Sequence, residues 1–233
     1  MNYAAFIVEV VSALLCFILV KFMLKPYQGT GETRYIGLPV GFALLGSSYV
    51  FMAAALYFTS FPFVDELKWL QIFSEAFAFA FVAVTYFFSK KPTKNSRLMW
   101  NTVYACLAVL AVILFLILVE PPMYGLSTLN SANEDVLFFN IVCLTYISVY
   151  TLRNHSLKPD AETMLIPFGY VLLGFSQYSF LIWSLDSSFS AFVGANFLRL
   201  VGLLIFLFVS YKSFQISRKQ SQKEGQMNEK TPS

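Results

Sequence analysis

Three ionisable residues stand inside long apolar runs: Glu9, Glu75 and Arg199. A charge near the middle of a bilayer costs at least about 2.5–3.5 kcal/mol, so residues of this kind are kept for a partner or a task. At 1.5 Å per helical residue, Glu9 lies roughly 9 Å past Tyr3, Glu75 roughly 10 Å past Lys68 and Arg199 roughly 12 Å past Ala191. Three segments therefore carry charge at one depth. Gln71 shares a helical face with Glu75, and Asn196 stands one turn before Arg199. Asn140 and Gln177 fall at a similar depth, with Tyr178 beside the latter. A buried guanidinium needs a carboxylate and further acceptors. The expected pair is Arg199 with Glu75, leaving Glu9 as a second partner or a neutral acid. Together Glu9, Gln71, Glu75, Asn140, Gln177, Asn196 and Arg199 form a polar pocket for a small solute or protons, or else an interhelical hydrogen-bond network that fixes packing.

Other chemistry is missing from the chain. There is no Gly-rich phosphate loop, no His-Glu zinc motif and no serine-nucleophile elbow. His155 is the sole histidine and falls in a predicted loop, so no intramembrane haem ligand or His-based catalytic pair is available. Cys16, Cys106 and Cys143 all fall within apolar runs, at spacings that match no zinc or disulfide pattern. No enzyme activity, metal or cofactor is expected.

Those residues sit in a chain of 233 residues that is 58% hydrophobic, 18% aromatic and only 12% charged, with a mean hydropathy of +0.65. A soluble globule of this length cannot hide that much apolar surface, and a disordered chain needs the opposite composition. The sequence predicts an all-α integral membrane protein, a seven-transmembrane-helix bundle. The spans cover about 3–24, 35–59, 68–88, 99–119, 136–152, 163–184 and 191–211, each near the 20 residues that a helix needs to cross a bilayer. Lys25–Gly31 and Lys90–Asn95 read as turns, and Glu120–Asp135 as the longest connection. Residues 1–212 make the membrane domain, and 213–233 read as a disordered tail.

Fourteen of the 16 Lys and Arg lie at alternate connections or in the tail: Lys21, Lys25 and Arg34; Lys90, Lys91, Lys94 and Arg97; Arg153 and Lys158; Lys212, Arg218, Lys219, Lys223 and Lys230. The positive-inside rule puts these in the cytoplasm, with the N-terminus outside and the C-terminus inside. The net charge of +3 is thus a topology signal, and no nucleic-acid partner is implied. The first span has no basic residue before Lys21, so it reads as retained rather than as a cleaved signal. The sequon Asn154-His155-Ser156 falls on the cytoplasmic side and is expected to carry no glycan.

The second and sixth spans resemble each other. Leu38-Pro39-Val40-Gly41-Phe42-Ala43-Leu44-Leu45-Gly46-Ser47-Ser48 aligns with Ile166-Pro167-Phe168-Gly169-Tyr170-Val171-Leu172-Leu173-Gly174-Phe175-Ser176, identical at six of eleven positions. The third and seventh align more faintly through Phe81–Tyr86 and Phe206–Tyr211, and the first and fifth through Glu9 and Asn140. This predicts a 3+1+3 parallel internal repeat. Such an arrangement is similar in architecture to the sugar-efflux (SWEET-type) transporters. Their Pro-Gln signature is absent here, and the resemblance extends to architecture only. Seven spans with the N-terminus outside are also similar to microbial rhodopsins, but the last span carries Arg199 and its only lysine, Lys212, lies at the end. A retinal site is therefore not expected.

The expected function is binding or transport of a small polar solute through a pocket in the outer half of a cell-membrane bundle. A sensory or receptor-type module acting through a cytoplasmic partner is the alternative, as is a structural subunit beside other membrane proteins. Gly41, Gly46, Gly169, Gly174, Gly194 and Gly202 are expected to let helices approach closely. Trp69, Trp100, Trp183 and the tyrosines near span ends are expected to form interfacial belts facing the lipid bilayer.

Overall fold

A computed structural model describes residues 3–30, 37–89, 126–157 and 164–229, together with Asn101, Ala105, Ala108, Val109 and Val112. Apart from short turns, these residues are helical. Six helices result: α1 (Tyr3–Thr30), α2 (Gly37–Tyr57), α3 (Val64–Ser89), α4 (Leu126–Leu157), α5 (Leu165–Asp186) and α6 (Phe189–Glu229). Each contains a stretch long and apolar enough to cross a membrane. This is the character of a multi-pass membrane protein. The predicted fourth span, with Cys106 and Trp100, lies outside the described residues except for the five scattered positions above, which are helical.

Several helices outrun the predicted spans. Helix α1 continues through Pro26 to Thr30, α3 starts at Val64, and α4 starts at Leu126 inside the predicted Glu120–Asp135 connection. Helix α4 also takes in His155 and the sequon in its last turns, where a loop was expected. Helix α6 runs to Glu229 through the segment whose composition suggests disorder. The reason is common to all four. Hydropathy marks where a helix leaves apolar surroundings, and the hydrogen-bonded backbone can continue past that point. Between Leu126 and Asp135 there is no Pro or Gly, and residues 213–224 are rich in Gln, Lys and Arg, which favour helix.

Apolar side chains surround every helix, so hydrophobicity does not select the inward face. Size and polarity do. Ser12, Ser48, Ser176, Asn140 and the small residues Ala13, Ala78 and Ala195 are buried, while Phe138, Phe168, Phe175, Phe197 and Phe208 are exposed. This is the arrangement of a bundle whose solvent is lipid: phenylalanine costs nothing outside, and close packing needs small residues inside.

The helices form a ring in which each packs on the next, and α6 closes on α1. Cross-links set their directions. Gln177 of α5 bonds both Glu75 of α3 and Asn140 of α4. About three turns further along both α3 and α4, Tyr86 and Tyr150 meet with centroids 5.7 Å apart, so these two helices are parallel. In the same way Arg199 meets Glu9, and Tyr211 meets Phe22, which makes α6 and α1 parallel. Thus α1, α3, α4 and α6 all start at one end of the bundle, the near end, and α2 and α5 start at the other.

The far half is packed shut. Tyr170 and Phe42 both lean on Phe206, at 4.6 and 5.6 Å between centroids, and Leu45, Val82, Leu144, Ile147, Leu173 and Leu203 fill the space around them. Two glycines bring the helices together here. A Cβ on Gly41 would stand 2.5 Å from Val82 Cγ2, and one on Gly169 would stand 2.8 Å from Phe206 Cζ. Gly202 and Gly46 are also tightly covered, but Gly174 has only ordinary contact and Gly194 faces open space. The packing role expected of all six therefore holds for four. The hollow left beside Phe42 and Tyr170 measures about 10 Å³, room for no more than a water.

Candidate functional site

The seven polar residues singled out by their depth converge in the near half. Arg199 on α6 donates through one Nη to Glu9 Oε1 on α1 at 2.7 Å and to Asn196 Oδ1 at 2.8 Å. Asn196 in turn donates to the Phe192 carbonyl. The Arg199 guanidinium lies 4.6 Å from the centre of the Tyr49 ring on α2 and 5.4 Å from that of Phe180 on α5. Both partners of the ion pair are buried.

The pair differs from the expected one. Arg199 takes Glu9, and Glu75 stands across the ring on α3. Spacing along a helix measures depth but not position around the ring, and α6 closes on α1 rather than on α3. Glu75 is held by amides instead. Gln71, one turn earlier, donates Nε2 to Oε2 at 2.7 Å, and Gln177 donates Nε2 to Oε1 at 2.7 Å. Gln177 Oε1 accepts from Asn140 Nδ2 at 3.3 Å, so a chain of amide bonds runs from α4 through α5 to Glu75. Among the described residues Glu75 forms no ion pair.

A cavity of about 330 Å³ opens between these two groups. Glu9, Gln71, Glu75 and Arg199 line it, with Tyr49, Phe180, Trp183 and Phe192 as aromatic walls. Its lining reaches Leu56 near the end of α2, Asn133 near the start of α4, Ser187 in the α5–α6 connection and Phe189 at the start of α6, so the hollow faces the near end. Ser187, in a left-handed conformation (φ 51°), makes that connection a tight turn, its N–H bonded to the Trp183 carbonyl. Several buried polar atoms around the cavity make no hydrogen bond among the described residues: Glu9 Oε2, Arg199 Nε, Tyr49 OH and Asn140 Oδ1. An unmet buried donor or acceptor costs about 1–3 kcal/mol, and a bound solute or water relieves it.

Asn140, Gln177 and Asn196 stand behind the lining and orient it. Tyr178 faces away, exposed, and borders a separate apolar hollow of about 550 Å³ between α4 and α5 that shares none of the seven polar residues. Cys16 and Cys143 are buried packing residues, and no group of metal-ligating side chains occurs among the described residues. Trp183, expected in an interfacial belt, lines the cavity. Trp69 stacks on Phe73. Tyr49, Phe180 and Phe192 were not singled out, because a lone aromatic in an apolar span carries no signal. For Tyr49 one signal existed: in the alignment of the second and sixth spans it falls opposite Gln177.

No known protein family matches this chain, and neither a curated protein nor a solved structure is significantly similar to it.

Proposed function

We propose that this is a seven-span cell-membrane protein that binds or transports a small polar solute through the near-end cavity, with the N-terminus outside and the C-terminus cytoplasmic. The observation that carries this reading is the cavity itself. Residues from five helices, far apart in sequence, spend buried charge and amide groups around a hollow of about 330 Å³ instead of closing it. Among the described residues, the centre of the far half is filled by packed aromatic and aliphatic side chains. A site open at one end and shut at the other is what one state of an alternating-access protein requires.

The seventh span is supported by direction. Helices α3 and α4 are parallel, the relation expected of two spans with one further span between them in sequence. The 3+1+3 repeat is supported by burial. Pro167, Gly169, Tyr170, Leu173, Ser176 and Gln177 are the buried residues of α5, and each aligns with a buried residue of α2: Pro39, Gly41, Phe42, Leu45, Ser48 and Tyr49. Neighbour relations repeat as well, since α1–α2–α3 and α4–α5–α6 pack in the same order, and α3 meets α4 as α6 meets α1.

The test is uptake into proteoliposomes across a panel of small cations, zwitterions, anions and neutral polyols. Wild-type protein is expected to accumulate at least one class, with Glu75→Gln and Arg199→Gln reduced at least tenfold. Equal uptake by both folded variants overturns the reading. A sensory role draws support from one observation, the continuation of α6 to Glu229 beyond its apolar stretch, which ends at Gln215. Ligand-dependent capture of a cytoplasmic signalling protein, with no uptake, would favour it.

A further inference from the structure

The charges around the cavity do not balance, and the imbalance identifies a class of solute. Glu9 and Arg199 cancel at 2.7 Å. Glu75 has no cation of its own among the described residues, and it is buried. Both its oxygens accept amide N–H groups, which point their positive ends at the carboxylate. A buried carboxylate held this way without a counter-ion is costly, and a cation in the cavity removes that cost.

The walls decide which kind of cation. A small divalent ion needs several oxygen ligands, whereas the cavity offers one uncommitted carboxylate and no cluster of acidic or His ligands among the described residues. Aromatic rings are supplied instead. Arg199 already covers Tyr49 and Phe180, but Trp183 and Phe192, 5.2 Å apart between centroids, bear no cation among the described residues. An aromatic surface beside a buried anion is the setting that favours an organic ammonium, whose weakly hydrated alkyl part packs on rings while its charge meets the carboxylate. Glu9 Oε2, which makes no hydrogen bond among the described residues, is a further acceptor on a lining residue.

Resting on the cavity reading above, we propose that this site takes a small organic monocation, an amine or quaternary ammonium, with its charge on Glu75 and its apolar part against Trp183 and Phe192.

The experiment uses the full chain in nanodiscs and calorimetric titration with four probes of similar size: n-butylammonium, tetramethylammonium, 1-butanol and butyrate. At least one of the two cations is expected to bind at least tenfold more tightly than the alcohol and the carboxylate. Glu75→Gln is expected to weaken that binding at least tenfold, and Trp183→Ala severalfold. Comparison among probes needs no variant, so it stands even if Glu75→Gln does not fold. Butyrate or 1-butanol binding as well as the cations, a folded Glu75→Gln binding them unchanged, or no probe binding at all overturns the proposal. The cavity reading is tested separately by labelling Ser187→Cys with an impermeant maleimide. Labelling that the cations fail to slow leaves the cavity standing and removes the amine, whereas an inaccessible cysteine removes the cavity.

Discussion

The seam between α6 and α1 and the seam between α3 and α4 each join two parallel helices through buried polar side chains, and they end in different chemistry. In the first, Arg199 meets Glu9 and rests on Tyr49 of the adjoining α2. In the second, Glu75 meets, through Gln177 of the adjoining α5, the amide of Asn140. Tyr49 and Gln177 occupy matching positions of the two similar helices, and Glu9 and Asn140 fall opposite each other in the fainter alignment. One seam closes its charge internally. The other leaves a carboxylate braced only by neutral groups. What separates the two seams is whether an arginine is present to complete the pair.

Breaking the clasp is expected to have the largest effect. Arg199→Gln or Glu9→Gln leaves one buried charge alone and should cost about 3–5 kcal/mol, read as a lower midpoint in denaturant titration of the purified protein. The double variant Glu9→Gln/Arg199→Gln removes both charges and should recover more than half of that loss. Additive losses would show that the two residues do not act as a pair.

Next comes the packing of the shut half. Gly169→Ala and Gly41→Ala place a methyl where Phe206 or Val82 already stands, and each should cost about 1–3 kcal/mol in the same titration. Glu75→Gln is expected to shift stability by no more than about 1 kcal/mol in either direction, because the hydrogen bond lost or reversed is offset by removal of a buried charge and no cation is orphaned. A penalty as large as that of Glu9→Gln would mean that Glu75 also closes a charge pair, and the contrast between the seams would disappear. Gly194→Ala, with nothing within 4 Å of the added carbon, should shift stability by less than about 0.5 kcal/mol.

Depth was the readable part of this site. In a chain this poor in charge, an acid or base within an apolar run is conspicuous, and the seven residues chosen by depth fall into two hydrogen-bonded groups in the near half. The partner of Arg199 was not readable, because the order of helices around the ring is set by contacts between distant segments. Tyr49, Phe180 and Phe192 were hidden for a different reason: in spans crowded with aromatics, the few rings that face inward look like the many that face lipid. Six apolar helices were legible, since hydropathy marks runs long and apolar enough to cross a membrane. Helix ends were not, since α1, α4 and α6 persist into polar sequence.

The last of those continuations has a mechanical consequence. Helix α6 is a single unbroken rod of 41 residues that carries Arg199 near one end. Past Gln215, where the apolar stretch stops, the remaining residues extend it by roughly 20 Å at 1.5 Å per residue. A tilt of about 10° swings the tip of such an arm by roughly 4 Å. The guanidinium at the cavity and the far tip thus belong to one lever, with the glycine-packed half of the bundle, where Gly202 sits against Gly169, as its fulcrum.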